Sequence, residues 1–221
     1  MGITSSTALW YASRATGVVA LVLLTVVVVL GILVNRRGRL PRLPRFATMS
    51  LHRSISLLAV AFLAVHVLTA IADPYVTIGI AAAVVPFSAA YKTFWIGLGA
   101  VSLDIMIALI ITSLARARIG RRTWRAVHWL AYACWPIALV HSIGSSNDLR
   151  SGGLLALAVL CTAAVAGATG WRIVSAAAAP RPPERAGRAL AKSRPRQGVG
   201  SPSRDAGRAT ADRPLTGAGV R

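Results

Sequence analysis

Apolar runs of about twenty residues alternate with short segments dense in arginine, glycine or proline along the first 175 of this chain's 221 positions. The first run, from about Leu9 to Val34, is almost wholly apolar from Val18 onward, long enough to cross a hydrocarbon core of about 30 Å. An arginine-rich loop, Asn35 to Arg45, precedes a second span from about Met49 to Ala72, which Asp73-Pro74 ends. The moderately apolar stretch from Tyr75 to Ala90 contains Gly79 and Pro86 and is too short to span, so a re-entrant or interfacial segment is expected. Further spans are predicted over Lys92 to Leu114, Trp124 to Ile143 and, after a polar turn from Gly144 to Gly153, Leu154 to Val174. The expected fold is all-α, an integral membrane helical bundle of five transmembrane helices over residues 1–175.

Composition sharpens this reading. A hydrophobic fraction of 55% beside a formal charge of +19, held in loops and tail, excludes a soluble globular domain. Residues 176–221 turn to Ala, Gly, Pro, Arg and Ser, with ten Lys or Arg and three acidic residues. Such a tail cannot bury enough apolar surface to offset its ordering entropy, so disorder is expected. Its charge suits anionic membrane lipids or simply reinforces topology; no nucleic-acid partner is expected. Met1 to Ala8 carries no basic region before the first apolar run, so a cleaved signal peptide is not expected.

Arginine also gives an orientation. The connections Asn35 to Arg53 and Ala115 to Arg125 hold eleven Arg between them, whereas those after the second and fourth spans hold only Lys92 and Arg150. The positive-inside rule then puts the N-terminus outside and the C-terminus in the cytoplasm of a multi-pass protein of the plasma (inner) membrane.

The candidate chemistry lies in four histidines, the only ones in the chain: His52 and His66 on the second span, His128 and His141 on the fourth. An imidazole inside a span is costly unless it faces the bundle interior and finds a partner. On an ideal helix the step from His52 to His66 is a rise of about 21 Å within roughly 40° of whole turns, which leaves both rings on one face. The step from His128 to His141 gives a matching depth of about 20 Å but a rotation of about 140°, and Pro136 between them is the expected site of a compensating kink. The orientation above puts His52 and His128 at the cytoplasmic side and His66 and His141 toward the outside. Two bis-histidine hemes are the simplest reading. A non-heme metal or proton transport site and structural hydrogen bonding are the alternatives, the transport reading calling for intramembrane acids of which Asp104 is the one well inside a span.

A span with histidines 14 apart, a span without, then one with histidines 13 apart resembles the ferric reductase-like transmembrane domain of ferric reductases, NADPH oxidases and methionine sulfoxide reductase heme subunits. The resemblance covers about Leu9 to Val174. It implies two b-type hemes held by His52, His66, His128 and His141, and transmembrane electron transfer from a cytoplasmic-side donor to an extracytoplasmic acceptor. Gly97-Leu98-Gly99 lies inside a span and is no nucleotide fingerprint. A separate flavoprotein or quinol donor is therefore expected, making the chain a heme-dependent oxidoreductase subunit. An unrelated quinol-linked diheme cytochrome b is the runner-up.

Other residues have competing readings. Arg14 resembles the family's basic residue in the first span and is assigned to an outer heme propionate, against snorkelling to headgroups. Arg53 and Arg125 flank the inner histidines and would neutralise inner propionates, unless they merely belong to the cytoplasmic arginine clusters. Cys134 and Cys161 are read as small apolar packing. Trp10, Trp95, Trp124 and Trp171 are read as interfacial anchors, and Trp129 and Trp135 as packing or heme-lining residues.

Overall fold

The computed structural model describes residues 2–35, 45–74, 78–146 and 152–177, and their regular structure is helical throughout. The elements are α1 (Gly2–Asn35), α2 (Arg45–Ala72), α3 (Ile80–Val84), α4 (Thr93–Leu114), α5 (Arg116–His128), α6 (Ala131–Ser145) and α7 (Gly152–Ala177). All belong to one unit, 1–179. The tail expected to be disordered lies outside the described residues from 178 onward, as does most of the arginine loop between α1 and α2.

Four helices, α1, α2, α4 and α7, are long and apolar enough to cross a membrane, and α5 with α6 make a fifth span when taken as one bent pair. The chain is therefore a multi-pass membrane protein. α1 is the central helix. Ala20, Leu21, Leu24, Thr25, Val28 and Ile32 recur at helical spacing and are all buried, because this stripe packs on α2, α6 and α7. Leu24, Val28 and Ile32 meet Ala59, Trp135 and Cys161 in the main apolar cluster. Within it Thr25 satisfies two polar groups: its hydroxyl donates to the Leu21 carbonyl at 2.8 Å and accepts from Trp135 Nε1 at 2.9 Å.

The expected interfacial segment contains the five-residue α3, folded against α4. Two left-handed residues, Phe87 (φ 63°) and Lys92 (φ 41°), turn the chain into α4. Phe87 stacks over Gly97, where a Cβ would collide with its ring. Lys92 Nζ reaches the Ser145 carbonyl at 2.9 Å, putting a cation on the C-terminal end of α6.

The fourth span differs from the expected single helix. α5 and α6 meet at 44°, with the break at Trp129 and Leu130 rather than at Pro136, which stays inside α6. Around the break the backbone tightens to three-residue hydrogen bonds, from Leu130 to Val127, Tyr132 to Trp129 and Ala133 to Leu130. The physical reason is charge: α5 carries five arginines and buries none of its residues, so it cannot continue straight into hydrocarbon as α6 does.

Candidate functional site

Both histidines of α2 turn toward α1, and their order shows the two helices run antiparallel. His66 lies beside Ser13 and Gly17, and His52 beside Gly31. The His66 Nδ1 and the Ser13 carbonyl are 2.7 Å apart. A carbonyl only accepts, so Nδ1 carries the proton and Nε2 keeps a free lone pair. A Cβ built on Gly17 would stand 2.9 Å from the ring, so glycine is what lets the imidazole in.

His141 repeats the arrangement on α4. Its Nδ1 donates to the Trp95 carbonyl at 2.7 Å, and its ring fills the space over Gly99, where a Cβ would come within 2.6 Å. The packing is reciprocal, since the Trp95 indole occupies the space over Gly144, one turn beyond His141.

The His66 and His141 rings are 6.4 Å apart between centroids, at 73°. Two imidazole–metal bonds of about 2.0 Å and two ring half-widths of about 1.2 Å add to about 6.4 Å, so the centroid separation is compatible with both rings serving one metal centre. The rings border an open cleft with about 830 Å³ of empty space including its mouth, lined also by Gly17, Gly99, Leu103 and Met106. Its apolar walls suit a flat organic cofactor.

His52 and His128, the other two histidines, lie within electrostatic range of each other. A Cβ on Gly31 would stand 3.5 Å from the His52 ring, a looser fit than at His66 and His141. The His52 ring lies near the Val27 backbone, and its Nδ1 has no hydrogen-bond partner. The His128 ring stacks on Trp124 at 4.9 Å and 23°, and the Arg116 guanidinium lies 5.3 Å from the far ring's centroid. Among the described residues the buried side-chain nitrogens or oxygens without a hydrogen-bond partner are His52 Nδ1, Trp124 Nε1 and His128 Nδ1. All three belong to His52, His128 and the ring stacked on His128.

Arg14 lies at the His66 end of α1: it follows Ser13, and its guanidinium lies 3.8 Å over the Trp10 ring. Arg53 and Arg125 are exposed, one residue from His52 and three residues from His128 in sequence. Asp104 is half-buried in α4, while Cys134 and Cys161 are buried free thiols, the former within 3.5 Å of the Ser102 carbonyl. Trp135 belongs to the core rather than to the cleft. Sequence reasoning missed two contributors. Trp124, read as an interfacial anchor, supports His128, and the four-residue step between them was the available signal. Trp95 supplies a carbonyl to one histidine, which no residue type announces.

Residues 16–140, more than half of the chain, match the family described as ferric reductase like transmembrane component. The matched stretch contains His52, His66 and His128 and stops one residue before His141. No curated protein and no solved structure matches the chain.

Proposed function

Because the chain belongs to the ferric reductase like transmembrane family, whose members generally bind heme and move electrons across membranes, we propose that it is a two-heme electron conduit. His66 and His141 would hold the outer heme, and His52 and His128 the inner. The observation that carries this reading is the outer pair: two imidazoles 6.4 Å apart, each with Nδ1 committed to a backbone carbonyl. Among the described residues no three His, Cys, Asp or Glu side chains converge. Ligands in twos suit a tetrapyrrole, which brings four nitrogens of its own, better than a bare ion that needs about four from the protein.

A heme held by two histidines would supply a one-electron couple without an open site for substrate. The protein's part is position, insulation and charge. α1 and α4 fix the tautomer of the outer imidazoles, and the carbonyl contacts strengthen them as donors. Apolar side chains such as Leu103 and Met106 line the cleft and would insulate the bound group. Arg14 would balance an outer propionate, and Arg53 and Arg125 inner ones. The arginine-rich side is assigned to the cytoplasm, with a separate flavoprotein or quinol as donor and an extracytoplasmic acceptor.

Purified protein expressed with ample heme should give a reduced-minus-oxidised spectrum of low-spin b heme and two hemes per chain by pyridine hemochrome. Protein that is folded and free of heme would overturn the reading.

A further inference from the structure

Three of the four candidate ligands meet the same local device. His66 uses the Ser13 carbonyl and the space over Gly17, and His141 the Trp95 carbonyl and the space over Gly99. His52 lies over Gly31, more loosely. Where the hydrogen bond is closed, the carbonyl stands four residues before the glycine. A helical Cβ tilts toward the N-terminus and overhangs the preceding turn, so the side chain at i+4 is the one that would cover carbonyl i. Glycine at i+4 uncovers that oxygen for a second, sideways donor. Gly17 and Gly31 are 14 residues apart on α1, the same step that separates His52 from His66 on α2.

The fourth place departs from the pattern. The same step along α4 leads from Trp95 and Gly99 to Leu109 and Ser113, a position with a Cβ. His128 Nδ1 has no hydrogen-bond partner, and its ring is stacked on Trp124 instead. Trp124 stands one helical turn earlier, so α5 supplies from within itself the support that a neighbouring helix gives His66 and His141.

We propose that glycine and carbonyl cradles at Ser13 with Gly17 and at Trp95 with Gly99 orient both outer imidazoles, whereas Trp124 is the positioning residue for His128, which makes the two heme sites inequivalent. This rests on the two-heme reading above. An imidazole whose Nδ1–H is given to a carbonyl is the stronger donor and favours the ferric state, so the outer heme has the lower potential of the two. The arginines around the inner pair act in the same direction by disfavouring the extra positive charge of ferric iron.

The test uses the full-length, heme-loaded protein and the variants Gly17→Ala, Gly99→Ala, Trp124→Ala and Trp124→Phe, read by heme per chain, low-temperature electron paramagnetic resonance and redox titration. Either glycine variant should fall from two hemes to one, or retain two with an altered low-spin signal for the lower-potential heme only. Trp124→Ala should move the signal and midpoint of the higher-potential heme alone. Trp124→Phe, which keeps a stacking ring and deletes Nε1, should restore them. Glycine variants with two hemes and unchanged signals would overturn the cradles. A Trp124→Ala variant that shifts neither midpoint, or shifts the lower one, would overturn the role of Trp124, as would Trp124→Phe behaving like alanine. The exposed position of the α5 helix keeps the Trp124 pair informative if a glycine variant does not fold. Wild-type protein without heme would instead sink the functional reading itself.

Discussion

A histidine that gives its Nδ1 proton to a main-chain oxygen has one nitrogen left for coordination and little freedom to turn. His66 and His141 are held in this way, each through a 2.7 Å contact to a different helix. Replacing either by alanine should remove the outer heme and spare the inner, and His52→Ala or His128→Ala should do the reverse, measured as heme per chain and as the surviving spectral component. Equal loss of both hemes from any one change would contradict two separate pairs. The histidines themselves were legible in the sequence, because helix geometry turns a spacing of 14 into one face and two depths. Their partners were not. Whether Trp124 anchors at an interface or stacks on His128 depends on side-chain rotamers and on where the α5 helix turns, and neither is written in residue types.

At the scale of elements, the break after His128 decides how the fourth span works. An ideal helix would rotate His128 and His141 about 140° apart, but the two belong to different helices inclined at 44°. Each residue wound at three per turn also advances about 120° instead of about 100°, which moves the rings toward a common face. Expecting a kink at Pro136 misplaced the break because that reading weighed the missing amide and not the five arginines of α5. The broken end is pinned from α7, where Arg172 lies 4.9 Å over Trp129 and 5.3 Å over Tyr132 and bonds the Tyr132 hydroxyl. Arg172→Ala should therefore loosen the inner site first, seen as faster loss of the higher-potential heme during thermal challenge. Deeper in the bundle, Trp135→Phe removes the buried bond to Thr25 and trims the core cluster. It should cost about 1–3 kcal/mol and lower the thermal midpoint, with both hemes retained.

For the whole molecule, hydropathy was enough to count the crossings, since apolar runs of this length have no soluble home. Which side they face is proposed from the arginine distribution alone. A tag at the C-terminus should be shielded from impermeant reagents in intact cells, and one at the N-terminus should react; the opposite labelling would reverse the proposed direction of electron flow. The short α3 was readable only as something too short to span, because its seat on α4 depends on Phe87 finding the bare surface of Gly97.

The central helix is also longer than the slab it crosses. Its 34 residues measure about 51 Å against a hydrocarbon depth of about 30 Å, and an ordinary tilt of about 20° absorbs only a few ångströms of the difference. Its apolar stretch ends at Val34, immediately before Asn35 and Arg36, so the surplus stands at the other end, like a mast rising above a deck. Trp10 and Tyr11 meet edge to face on that mast and the Arg14 guanidinium lies over the Trp10 ring, so aromatic rings and a cation share the part of the helix that outruns the hydrocarbon.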